Sequence, residues 1–452
     1  MTDPSIYGFA PGKDGAENAK ALQQAVDRGG TILITQPGIY DLSEPILIGD
    51  DTTLLFGAGI TLRRQKSSSS ETGYVFANKG AFTRTYNRNI KLIGLRLICN
   101  GVVCGAEGAG RIVPGLRGHI SFFYVKNLEI RDFEALDLPA KDFGIHVCTF
   151  ENIILENLRI EGRKDAVHLG RGSKFVIRHG LFRTFDDPIA LNAHDYATSN
   201  PQLGWIENGL IEDCYDLDDQ DTVGYFCRVL AGSWTDWKEG MEVQNSDTVV
   251  CSGRLYRVIM QPDGKVYRSV TPPCHTEGIQ EYDGIRWVMV QEEVTYNCGC
   301  RNVHFKDIFL QKKRPVAFSL HFDKDQYSRS YYPGSQAPVQ ENIIFENIYF
   351  QNDIPVLLYS RTPVDTVKLI NSVVRNSEIQ LMDIETEGIS YPKTNILFSG
   401  TTCLGRGGRL VTCEGRQRAE IKLMGSLPQE EFCASVSGNV TVNQADLPIE
   451  KE

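Results

Sequence analysis

The chain has 452 residues, of which 41% are hydrophobic and 23% charged, and a formal net charge of −10. No run approaches the roughly 18 apolar residues of a membrane-spanning helix, and the acidic balance argues against nucleic acid, whose phosphates draw on clustered Lys and Arg. A chain of this length strains a single globular core, whereas a repeat solenoid grows by stacking and escapes that limit.

The opening MTDPSIYGFAPGKDG lacks the basic region and apolar core of a secretion signal. The chain as written is therefore expected in the cytoplasm, and in the periplasm or outside the cell if a signal has been removed. From Asp14 to Arg28, apolar Ala19, Leu22, Ala25 and Val26 predict a short amphipathic helix, closed by Gly29 and Gly30. The runs TILITQPGIYDLSEPILI and TTLLFGAGITLRR then read as short strands broken by Gly and Pro. A helix leading into stacked strands suits the cap of a β-solenoid, whose open end would otherwise expose unpaired edges.

A repeat follows, built on phrases of the form Asn-(Ile/Val/Leu)-x-(Leu/Ile/Phe). They begin at Asn89, Asn127, Asn152, Lys174, Asn302, Asn342 and Thr366, with intervals such as 25 residues from Asn127 and 22 from Asn152. Period-2 alternation predicts strands, and a repeat of 20 to 30 residues predicts a solenoid rather than a sandwich. The expected fold is all-β, a right-handed parallel β-helix with an N-terminal capping helix. The Asn residues are expected to form ladders at its turns.

Between Asp216 and about Val294 the repeat stops, and the chain carries three of its four tryptophans and Asp-Gly pairs at Asp263 and Asp283. This predicts a small inserted β-module, which divides the chain into 1–216, 217–294 and 295–452. Trp234, Trp237, Tyr256, Tyr267 and Trp287 are either the core of that module or a platform for sugar rings. The rungs resume beyond it, interrupted by a polar loop from Ser319 to Gln340 in which Asp323, Lys324 and Arg329 are candidate substrate contacts. Past Thr401 the pattern weakens, and the final PIEKE reads as a frayed tail. The 12 cysteines are scattered through strand patterns, which predicts buried free thiols, and the Cys298/Cys300 pair lacks a partner pair at zinc spacing.

The chemistry is concentrated in KDAVHLGRGSKFVIRHGLFRTFDDPIALN, from Lys164 to Asn192. Asp165 and Asp187 lie 22 residues apart, about one rung, so Asp165, Asp186 and Asp187 are expected to converge on one face of the solenoid. Crowded carboxylates favour retention of a proton on one of them, which is what an acid catalyst requires. The alternative is a set of solvated turn acids. His146 and His168 share the same 22-residue interval and His194 follows Asn192 closely. His168 and His194 are each candidates for substrate contact or for a structural hydrogen bond, while His119, His179 and His304 sit in ordinary repeat phrases.

The phrases KDAVHLG and FDDPIALN resemble the two central motifs of glycoside hydrolase family 28, the polygalacturonase-like members of the pectin-lyase-like superfamily. The resemblance implies a right-handed parallel β-helix that cleaves glycosidic bonds with inversion, without cofactor or metal, on a polysaccharide or oligosaccharide. Asp186 would be the general acid, Asp165 and Asp187 would hold the attacking water, and Asn192 would contact substrate. Inversion implies roughly 6.5–9.5 Å between acid and base. The chain departs from the family where a Gly-His-Gly phrase is due, reading ENGLIED with Asn208, and an Arg-x-Lys phrase that binds uronate carboxylates has no clear counterpart. A neutral or differently decorated sugar is therefore open, and family 110 β-helix hydrolases also pair Asp residues on this face. Two other readings are a β-helix polysaccharide lyase or epimerase and a tailspike-like glycan-binding protein without catalysis.

Overall fold

The computed structural model describes residues 1–67, 73–103, 113–219, 221–375, 377–384, 389–404, 410–425 and 436–444, and the terminal PIEKE lies outside them. The chain divides into two compact units, one of Met1–Ala190, Thr198–Pro201 and Glu207–Gly224, the other of Leu191–Ala197, Gln202–Ile206 and Tyr225–Glu452. The parallel ladders of both are those of a right-handed parallel β-helix.

The first unit opens with the helix Gly15–Val26, capped by the Asp14 carboxylate, which accepts from the amides of Ala16 at 2.8 Å and Glu17 at 3.3 Å. Its Ala19, Leu22, Ala25 and Val26 are buried, and Gly29 and Gly30 adopt φ of 66° and 71° to turn the chain out. The strands Gly30–Ile34, Thr52–Phe56, Asn87–Ile93, Gly118–Leu138, Phe143–Gly162 and Gly172–Thr184 then stack in parallel. Register makes a continuous apolar column of Ile32, Leu54, Leu92, Ile130, Leu155 and Ile177. Each of the six is 0% exposed, and each such side chain stabilises the coil by about 1.5–3 kcal/mol.

Outside the coil the register alternates charge. Arg131, Glu156 and Arg178 stand on successive rungs, with Arg178 Nε 2.9 Å from Glu156 Oε1 and Arg131 paired to the same glutamate. At the corners the chain enters the left-handed region, with φ of 57°, 55° and 59° at Asn89, Asn127 and Asn152. Asparagine tolerates that conformation best among residues with a Cβ. Here it also forms the expected ladder, since Asn127 Nδ2 donates to Asn89 Oδ1 at 2.9 Å and Asn152 Nδ2 to Asn127 Oδ1 at 2.8 Å.

The second unit repeats this scheme with larger side chains. Phe305, Phe345, Leu369, Phe398 and Leu423 form its column, and the first two rings stack 5.3 Å apart. Coiling persists beyond Thr401 through Arg418–Met424 and Val440–Gln444, whose short apolar alternation is hard to see in the sequence. The polar loop begins at Phe322, because Ser319, Leu320 and His321 complete the strand Val316–His321.

Within this unit, Thr235–Asp236, Thr248–Cys251, Arg254–Val258, Ile279–Tyr282 and Ile285–Gln291 form a five-stranded sheet. Asp283-Gly284 makes the expected tight hairpin, with φ of 56° and 74°. Asp263-Gly264 does not join paired strands: Tyr267–Ser269 pairs instead with Met241–Val243. A hairpin unexpected from the sequence closes at Ser252-Gly253. Tyr256 and Trp287 are buried in the module's core and Trp237 and Tyr267 pack against it, while Trp234 is 1% exposed. The core reading therefore holds for Tyr256 and Trp287; Trp234 is buried outside that cluster, with its indole N–H donating to Thr295 O and its ring beside His194.

Among the described residues nine cysteines are free, and only Cys274 is exposed. Cys298 and Cys300 are both buried, and burial, with Cys298 adding, pushes the Cys300 thiol well above its ordinary value.

Asn127→Ala is expected to lower stability by about 1–2 kcal/mol in urea unfolding, because it keeps the left-handed strain and loses both ladder bonds. Asn127→Gly, which relieves the strain, should cost less; equal losses would place the whole effect in the ladder.

Candidate active site

Two corners of the first unit build the site. Gly144 N–H donates to Asp165 O at 3.0 Å, and Ala166 N–H donates to Asp187 O at 3.2 Å. Val167 N–H then donates to Pro188 O at 3.0 Å, so KDAVHL and DDPIAL lie directly in register. The stacked backbone brings Asp165, Asp186 and Asp187 together, with one carboxylate oxygen from each within 4.8 Å of the others. Asp165 and Asp187 are buried at 0% and 1% exposure, whereas the Asp186 side chain retains 22%.

Lys164, one residue before the first aspartate, was not singled out by sequence. Its ammonium lies 3.3 Å from Asp165 Oδ1, pairs closely with Asp186 and faces the Phe143 ring at 5.7 Å. The available signal was the same interval: Lys164 and Asp186 are 22 residues apart. His168 is buried and its Nδ1 lies 2.9 Å from Asp165 Oδ2, donating to the carboxylate. The His168 ring stacks on Phe143 at 3.9 Å and meets His146 edge-on at 4.9 Å. His146 Nδ1 accepts the Arg117 amide at 2.8 Å, which fixes that nitrogen as the unprotonated one. A row of rings thus holds Asp165 from behind.

Gly224 covers the other side. With φ of 75°, a Cβ there would stand 2.3 Å from Asp187 Oδ1 and 2.9 Å from Asp186 Oδ1. The segment is held down by Val223 N–H and Thr222 Oγ1, which donate to Phe185 O at 2.8 and 3.0 Å. Sequence offered no sign of this, since Gly224 follows the last rung phrase and reads as the start of the insert.

The remaining predicted residues belong to the second unit. Asn192 is buried and donates to Asp195 Oδ2 at 2.7 Å; Arg228 lies 3.7 Å from the same oxygen. His194 is buried with Nε2 3.5 Å from Thr248 Oγ1. Burial, reinforced by Arg257, holds its imidazole well below the ordinary pKa, so it is neutral. Asp323 faces His321 Nε2 at 3.2 Å; burial opposes its charge, but the bond to His321 and the charges of His321 and Arg228 prevail and hold it below the ordinary value. Lys324 and Arg329 line one cavity, and Arg329 Nη1 also pairs with Asp247 Oδ2 at 2.9 Å.

The three aspartates have the oxygen donors a hard cation takes, with Lys164 as an internal cation competing for them. The nearest oxygens of the three carboxylates, all within 4.8 Å of one another, lie closer than the roughly 6.5–9.5 Å between the carboxyl groups of an inverting hydrolase. Oxygens in that range can share a single water, since two hydrogen bonds of about 2.8 Å at a tetrahedral angle span about 4.5 Å.

No protein-family model and no curated protein sequence matches this chain. The solved structures it resembles include the family 28 exopolygalacturonase of Yersinia enterocolitica, at 13% identity and a TM-score of 0.45, covering 97% of this chain and 77% of that one. The surface protein and adhesin PfbA of Streptococcus pneumoniae matches at 11% identity and 0.47, over 98% of this chain and 100% of that one. The catalytic unit of a GH87 alpha-1,3-glucanase from Streptomyces thermodiastaticus matches at 12% and 0.46, over 99% and 69%. Hydrolases and an adhesin stand side by side among them, so the reading of the site rests on its own residues.

Burial lifts the Asp247 carboxyl from 3.8 to about 7, against the pull of Arg329 and of the Gln244 amide. The stability this gives is fully present below about 3.8 and is lost as pH rises through about 7, because only the folded chain holds the proton in between. In urea unfolding from pH 4.5 to 8, the stability of the parent relative to Asp247→Asn should fall by up to about 1.4 kcal/mol per pH unit. A flat difference would count against a protonated Asp247.

Proposed function

We propose that this protein hydrolyses glycosidic bonds in a polysaccharide or oligosaccharide. The observation that carries the reading is the convergence of Asp165, Asp186 and Asp187 within 4.8 Å, two of them buried and one facing solvent. Asp186, the accessible member, donates its proton to the glycosidic oxygen as the bond to the anomeric carbon breaks. Asp165 and Asp187 hold one water between them; its oxygen bonds to the anomeric carbon and its proton passes to this pair. The sugar is attacked from the face opposite the leaving group, and the product is inverted.

The surrounding residues have supporting parts. Lys164 balances the charge that Asp186 acquires on giving up its proton. His168, held by Phe143 and His146, keeps Asp165 turned towards the water. Gly224 leaves room for the Asp187 carboxylate that any side chain would take.

Asp186→Asn and Asp187→Asn should each reduce reducing-sugar release from a panel of pectic, galactan and host-type glycans by about 10²–10⁴-fold with melting temperature retained. Nuclear magnetic resonance of the first-formed anomer should show inversion; retention would overturn the water-holding pair. An unsaturated product absorbing in the ultraviolet, or turnover that survives both substitutions, would overturn hydrolysis by these residues. Gly224→Ala should lower turnover by on the order of 10²-fold through displacement of the two carboxylates.

A further inference from the structure

The second unit contains a cavity of about 320 Å³, lined by Lys324, Arg329 and Arg361 together with Gln244, Gln326 and Tyr331. Three cationic side chains therefore face one space. Arg329 spends one nitrogen on the buried Asp247. Asp325, which also lines the cavity, accepts the amides of Tyr327 at 2.7 Å and Ser328 at 2.9 Å and so caps its own loop.

Arg361 is the informative member. Its main-chain amide donates to Leu320 O at 2.8 Å, which anchors it to the coil. Its Nε is shielded from solvent, and its guanidinium has no hydrogen-bond or ion-pair partner among the described residues. Removing a guanidinium nitrogen from water without a partner is costly, and arginine's fork matches a two-oxygen anion. The cavity is larger than a bare oxyanion needs and lies at the small end of ligand pockets, which run from about 300 to 1,000 Å³. Gln244 and Gln326 supply amide donors and acceptors of the kind that read hydroxyl groups, and Tyr331 supplies an aromatic wall.

We propose that this cavity is a binding site for one monosaccharide-sized ligand carrying an oxyanion, with Arg361 and Lys324 on the anion and the two glutamines on sugar hydroxyls. The walls fix the ligand's place. The long polar loop forms one side and is tied to the inserted module, because Asn245 Nδ2 donates to Gln326 O at 3.3 Å and Tyr332 OH donates to Glu242 O at 2.9 Å. The site is independent of the hydrolase reading.

Titration calorimetry on the Asp186→Asn chain, in which turnover is removed, tests it with four probes: glucuronate, glucose 6-phosphate, glucose and inorganic phosphate. Binding of glucuronate or glucose 6-phosphate at least tenfold tighter than both glucose and phosphate is expected, and which of the two binds better tells carboxylate from phosphate. Arg361→Gln should weaken that binding at least tenfold, and Arg361→Lys should restore only part of it. If Arg361→Gln fails to fold, Lys324→Gln on the exposed loop carries the same comparison. Equal binding of phosphate alone would overturn the sugar assignment. Absence of binding, or binding unaffected by substitution of both cations, would overturn the site. Failure of the hydrolase reading would leave all of these outcomes unchanged.

Discussion

The constraint on which the rest depends is register between rungs. Side chains on a strand alternate faces with a period of two, so a slip of one residue in any rung would turn its member of the column Leu92, Ile130, Leu155 and Ile177 out of the coil. Burial of that column fixes which residues stand above which. The same register that stacks leucine on isoleucine also stacks Arg131 on Glu156 and Asn127 on Asn89. It sets Asp165 over Asp187 at the corner where the carboxylates meet, joined by the Ala166 N–H to Asp187 O bond. The candidate site is therefore a by-product of core packing, and its precision is that of the coil.

What the site adds is local conflict. Carboxylates brought within 4.8 Å repel, and two of them are buried, so this corner works against the stability of the rungs that form it. The opposing contributions are visible around it: the Lys164 ammonium between Asp165 and Asp186, and the His168 imidazole against Asp165. Elsewhere the corners carry asparagine, whose amide both donates and accepts and so stacks without repulsion. Three acids at one corner lack that option, so their charge is met by Lys164 and His168 instead.

The second unit shows the same economy in another form. The core of its inserted sheet packs Tyr256 and Trp287 against Val243, Val249, Val258, Ile285 and Met289, which is why aromatics that read equally well as a sugar platform lie inside. What the module leaves open is the wall it shares with the polar loop. There Lys324, Arg329 and Arg361 meet, drawn from a loop and from a strand end far apart in sequence.

The sequence by itself determined the rung period, the capping helix, the Asn corners and the meeting of Asp165, Asp186 and Asp187. All of these follow from short-range spacing, since a residue one rung on lies directly above. Lys164 was legible by the same rule, through its 22-residue interval to Asp186. Only the tertiary structure decided the rest. Gly224 reaches the aspartates by the path of a loop, the pairing of Tyr267–Ser269 with Met241–Val243 bypasses its local Asp-Gly turn, and Arg361 faces residues brought in by the loop around Lys324. Periodicity predicts what stacks along the coil axis; what closes over its face depends on irregular segments, whose course is set by packing that no repeat encodes.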